Sequence, residues 1–121
     1  MAALFNGCLS LIYVNFTNFD TYNCQDIHFM FKDCTSLISL DLSNFNTKRA
    51  NDINGIFYNC NNLQHINLDN FELKSDIKTG NEIFRIQKNV IVCIYQEKAS
   101  YLYQLIESLD CSNIYFKDDW N

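Results

Sequence analysis

Leu37-Ile38-Ser39-Leu40-Asp41-Leu42-Ser43-Asn44-Phe45 decides the fold, because the chain writes variants of it more than once. When Phe5 to Met30 is set above Phe31 to Ile56, ten of 26 positions are identical, among them Phe5/Phe31, Cys8/Cys34, Leu11/Leu37, Asn18/Asn44, Thr21/Thr47 and Asp26/Asp52. A third copy starts at Phe57, where Cys60, Leu63, Ile66, Leu68, Asn70 and Phe71 keep the same offsets until Leu73 replaces the threonine. Within a copy, Leu40 and Leu42 alternate with Ser39, Asp41 and Ser43, the pattern of a strand with one buried and one polar face. From Asn46 to Tyr58, Ala50, Ile53, Ile56 and Phe57 form a stripe that predicts a helical or 3₁₀-like return. A strand and a return cannot bury their apolar sides alone, so neighbouring copies must stack.

The period and the L-x-x-L-x-L pattern fall in the leucine-rich repeat range. The expected fold is therefore α/β: a short leucine-rich repeat solenoid of about three 26-residue repeats. The repeats occupy 1–82 (5–30, 31–56 and 57–82), and the chain starts mid-repeat, since Met1 to Phe5 aligns with Ile27 to Phe31. That start is expected of a truncated frame or of the tail of a longer array. Residues 83–121 read as a C-terminal cap. Val90-Ile91-Val92-Cys93-Ile94-Tyr95 is a β-branched strand, and Gln96 to Asp110 puts Ala99, Leu102, Ile106 and Leu109 on one helical face. Ser112 to Phe116 is a last short strand, parallel to the first, starting beside Val90.

With 121 residues, the chain has room for one domain. Apolar residues at 48% exclude wholesale disorder, and a formal charge of −5 argues against nucleic acid as a partner. Met1-Ala2-Ala3-Leu4-Phe5 lacks the basic start and apolar core of a secretory signal. Apolar runs of about six residues are far short of the ~20 that span a bilayer, so a soluble chain without a transmembrane segment is expected.

Cys34-Thr35-Ser36-Leu37-Ile38-Ser39-Leu40-Asp41-Leu42-Ser43-Asn44-Phe45-Asn46-Thr47 resembles the core motif of BspA-like leucine-rich repeat surface proteins, found in mycoplasmas, gut bacteria and several unicellular eukaryotes. The resemblance covers residues 1–72, and the closing Cys93-Ile94, Ala99-Ser100 and Phe116-Lys117-Asp118-Asp119-Trp120 are similar to the family's ending. Ser100 stands where the family has proline, and Phe116 where it has a last cysteine. The resemblance implies cell-surface or extracellular display and adhesion or host contact, without a catalytic site.

The individual constellations have structural explanations. Cys8, Cys34 and Cys60 are locked to the repeat and read as a buried column. With Cys93 and Cys111 too far apart in the expected register to bridge, all six cysteines should be reduced. Cys24 with His28, and Cys60 with His65, are spaced like zinc ligands, but a structural site needs about four that converge, so no metal is expected. No G-x-S-x-G elbow or P-loop is present, which argues against an enzyme and against a cofactor. Asn18, Asn44 and Asn70 form either a ladder facing a ligand or, the simpler reading, amides that satisfy backbone groups where strand turns to loop. The sequon Asn15-Phe16-Thr17 lies on the strand face, where a glycan would block it, and is expected to stay unmodified.

Strand alternation then sets three outward columns as the expected binding face: Tyr13/Ser39/His65, Asn15/Asp41/Asn67 and Thr17/Ser43/Asp69. Their patch is roughly 200 Å², against about 800 Å² per partner in a standard interface. A weak, non-catalytic recognition face for a protein or glycan is expected, with a purely structural capping fragment of a longer solenoid as the alternative. The uncovered N-terminal end, with Met1, Leu4 and Phe5, is expected to promote self-association.

Overall fold

The alternation at Leu40 and Leu42 folds as expected of a half-buried strand. In the computed structural model, which describes residues 1–80, 83, 89–94, 104 and 114–117, both leucines are fully buried while Ser39, Asp41 and Ser43 are half-buried. Four short strands follow in chain order: β1 (Ser39–Asp41), β2 (His65–Asn67), β3 (Val90–Cys93) and β4 (Ile114–Lys117). They form one parallel sheet in the order β1-β2-β3-β4. Ser39 pairs with His65 and His65 with Ile91, so the sequence period of 26 is the register of the sheet (65 − 39 and 91 − 65). The segment ahead of β1 is not itself a strand; it joins through a long bond from the Ile38 N–H to the Ile12 carbonyl, 3.5 Å.

The last strand departs from the period. Val90 pairs with Ile114 rather than with Ser112, a register two residues further along the chain than the sequence suggests. Of the cap helix expected over 96–110, only Gln104, helical and exposed, is among the described residues; the rest of that expectation, and Cys111, lie outside them.

The return side corrects the helical expectation. Among the described residues of 46–58 no helix forms. The backbone makes isolated i→i+3 turns, such as Ile56 N–H to the Ile53 carbonyl and Tyr58 N–H to the Gly55 carbonyl. Between turns it donates into the next coil: Ile27 to Asp52, Phe29 to Asn54, Phe31 to Ile56 and Asp33 to Tyr58, all at 2.9–3.0 Å. Left-handed residues punctuate the path at Ala3 (φ 55°), Phe29 (φ 52°) and Gly55 (φ 59°), and again at Gly7 (φ 73°), Asp33 (φ 60°) and Asn59 (φ 60°). A left-handed residue resets the chain direction, so the apolar stripe arises from turn spacing rather than from a helix. Gly55 is required here, because a Cβ on it would lie 2.5 Å from the Phe29 ring.

The core lies between strand side and return side. Two columns of phenylalanine run through it. Phe5 stacks on Phe31 (5.5 Å) and Phe31 on Phe57 (6.2 Å), while Phe19 stacks on Phe45 (6.4 Å) and Phe45 on Phe71 (6.3 Å). Phe16 fills the junction of the columns, edge-on to Phe5, Phe19, Phe31 and Phe45. Aromatic pairs in such arrays add about 0.5–1.5 kcal/mol each beyond the area they bury. Among the described residues no helix is long and apolar enough to cross a membrane.

Candidate functional site

The outward columns are graded from open to closed. Tyr13 is 65% exposed, and Asn15, Thr17 and His65 are also exposed. Ser39, Asp41, Ser43 and Asp69 are half-buried. Asn67 is buried at 4%, which corrects its place among the expected binding residues. Cys93, next in the same column, is buried as well, and its thiol donates to Asp69 Oδ1 at 3.5 Å. The strand face is therefore accessible at its Tyr13 end and covered at its Cys93 end.

The middle column also has a structural task. Asn15 Oδ1 accepts from the Thr17 N–H (2.9 Å), Asp41 Oδ1 from Ser43 (3.0 Å) and Asn67 Oδ1 from Asp69 (3.1 Å). These are Asx turns, in which a short side-chain acceptor satisfies a backbone donor as the strand ends. Two further corners repeat the device. Asp20 and Asn46 accept from Tyr22 and Lys48, and Asp26 and Asp52 from His28 and Asn54. In the third copy Glu72 and Lys78 replace these acceptors, and the device lapses. The signal was in the sequence as Asn or Asp recurring at three fixed offsets, and the reading of outward columns missed it.

Threonine and cysteine tie one coil to the next. Thr47 Oγ1 accepts from the Glu72 N–H (2.9 Å) and donates to the Glu72 carbonyl (3.0 Å); Thr21 makes the same pair of bonds with Asn46. The Cys34 thiol donates to the Phe5 carbonyl at 3.0 Å and Cys60 to that of Phe31 at 2.9 Å. Burial pushes the Cys34 thiol up to about 11 and Cys60 up to about 12, so both stay protonated and unreactive at neutral pH. None of the five described cysteines is in a disulfide.

The expected amide ladder is different from its simpler reading. Only Asn70 bonds the backbone, through its Nδ2 to the Ser43 carbonyl, while Asn18 and Asn44 are exposed with no bonded partner among the described residues. His28 and Cys24 do not form a metal group. The metal-capable group among the described residues is instead Asp26, His28 and Asp52, with ligand atoms within 4.8 Å of one another. Its carboxylates already serve the Asx turns, and Asp26 also bonds the His28 ring. Burial alone would raise the Asp26 pKa, but hydrogen bonds from the His28 backbone and ring, with the imidazole charge, hold it below the usual carboxylate value. The group reads as the third corner of the coil.

Ser39, Asp41, Ser43, His65 and Asp69 stand on or beside the parallel strands β1 and β2, and Tyr13, Asn15 and Thr17 on the irregular segment next to β1. This is equipment for reversible polar contact. No curated protein and no solved structure matches the chain. Residues 1–97 match the family described as "Mycoplasma protein of unknown function, DUF285", and the chain belongs to that family.

Proposed function

We propose that the chain is a non-catalytic recognition segment of a BspA-like leucine-rich repeat surface protein, binding a protein or glycan through a concave strand face. One observation carries this reading. Leu40, Ile66 and Val92 pair in register and are buried, while His65 on the other face of the sheet, and Tyr13, Asn15 and Thr17 on the irregular segment beside β1, stay open. A sheet that is sealed on one side and polar on the other presents its side chains at a fixed spacing of about 4.8 Å between strands. The small open area makes single-site binding weak, so display in several copies raises the effective affinity.

The closed end of the face favours a second role. Burial of Asn67 and Cys93 on the outward side is what a segment that terminates a longer solenoid would show. The test is to couple the full chain to beads and pass them over an array of extracellular matrix proteins and glycans. The recognition role requires a bound ligand whose retention drops in Tyr13→Ala at unchanged thermal midpoint. Equal retention by Tyr13→Ala, or no retention at all, leaves the capping role.

A further inference from the structure

We infer that the corner following the strands holds a second binding site, a polar groove for a neutral saccharide. Ser43 of the strand face also lines the groove, but its ligand is selected by the corner residues and not by the strand face. The groove starts from the amides that the backbone does not use. Asn18, Asn44 and Asn70 recur at one offset in three successive coils, all exposed, and among the described residues only Asn70 has a bonded partner. Were the column a structural ladder, each amide would satisfy a backbone group; here the Asx columns do that instead.

A cleft of about 320 Å³ opens beside this column, between Asn44, Asn46 and Lys48 of one coil and Asn70 and Glu72 of the next. Its size is at the lower end of small-molecule sites, about 300–1,000 Å³. A second cleft of about 150 Å³ shares Lys48 and Glu72 with it and continues to Lys74, so the two adjoin as one groove along the corner. Tyr22, at the place of Lys48 one coil earlier, is already engaged, with the Arg49 guanidinium 4.6 Å from its ring, so the groove's contacts are offered by the polar residues alone.

The unspent hydrogen-bonding capacity selects the ligand. Asn44 has a whole amide to offer. Asn46 uses its Oδ1 on the Lys48 N–H and keeps its NH₂, whereas Asn70 uses its NH₂ and keeps its Oδ1. Lys48 Nζ and Glu72 Oε2 are 4.0 Å apart, beyond hydrogen-bond distance, and both side chains are largely exposed. An apolar ligand would leave these groups unpaired, an anion would meet Glu72 and a cation would meet Lys48. A hydroxyl both donates and accepts, so a ring carrying several of them matches the mixed amides and the Lys48–Glu72 pair, while Lys74 at the far end is held by Asn51 Oδ1 at 2.9 Å. The groove's length favours a linear oligosaccharide over a free monosaccharide.

Saturation-transfer NMR on the full chain tests this. The probes are glucose, galactose, mannose and N-acetylglucosamine, each as the methyl glycoside and as the linear trisaccharide. At least one trisaccharide should bind, more tightly than its monosaccharide. Loss of one or two hydrogen bonds in Asn44→Ala or Glu72→Ala should weaken it about fivefold or more, with the circular dichroism spectrum unchanged. Silence across all eight probes overturns the groove. So does a signal that survives both substitutions, and one that is lost in Tyr13→Ala instead returns the saccharide to the strand face.

Discussion

On the strand side of a coil, Leu40 and Leu42 are buried by simple alternation, and the backbone pairs with the next coil over only three residues. On the return side, Ile53, Ile56 and Phe57 are buried just as completely, yet their backbone alternates between tight turns and bonds to the neighbouring coil, with left-handed residues at each reversal. Both sides keep the period of 26, seen in the Ser39 to His65 pairing on one side and the Asp26 to Asp52 bridge on the other. The difference teaches that a repeat period fixes which residues stack but not the conformation that stacks them. Apolar residues three or four apart are compatible with a helix and equally with a series of turns.

The comparison breaks first if the strand side is not the sealed side. Leu40→Ala removes a fully buried side chain from the centre of β1 and should cost about 2–5 kcal/mol, measured by urea denaturation. A loss below about 1 kcal/mol would mean that the sheet does not face the core. Next comes the return side. In Gly55→Ala the new methyl group meets the Phe29 ring in a left-handed backbone, so about 1–3 kcal/mol should be lost. If this segment were helical, alanine would stabilise it instead, which makes the sign of the change decisive.

Smaller effects sharpen the picture. Thr47→Val keeps the shape but removes both bonds to Glu72, and should cost about 1–2 kcal/mol; hydrogen exchange at the Glu72 amide should rise with it. Last are the two outward residues. Asp41→Ala loses an Asx bond and should cost about 1 kcal/mol, while Tyr13→Ala, largely exposed, should stay within about 0.5 kcal/mol. Equal effects from the two would show that the Asx turns contribute nothing to stability.

The sequence was most legible where one residue type does one thing. Leucine alternation gave β1, the repeat offset gave the register of β1 with β2 and β3, and the run from Val90 gave β3. It was least legible where the backbone conformation, not the side chain, carries the structure. Phe29 takes a positive φ that its residue type does not announce, and Asp33, although of a type that tolerates it, carries no turn pattern that singles it out, so the return reads as a stripe. The candidate site was half legible. Exposure at Tyr13, Asn15, Thr17 and His65 follows from alternation, but burial of Asn67 depends on packing at the far end of the sheet, which no local pattern records. The middle column is legible from sequence as a surface for partners, because an Asx acceptor and a ligand contact use the same residue types.

The ladders that join coil to coil also decide how the molecule responds to force. Each bond between coils, such as Phe31 to Ile56 or Thr47 to Glu72, links segments that lie one above the other, and successive bonds lie at successive points along the chain. Tension applied at the chain ends loads them one after another, as in a zipper, rather than all at once in shear. A coil should therefore peel away at low force and release about 90 Å of slack, from 26 residues at up to ~3.6 Å each. Single-molecule stretching should show a short staircase of such steps. A single large rupture would mean that the coils resist as one block. A segment that pays out length in this way would act as a shock absorber between whatever holds its two ends.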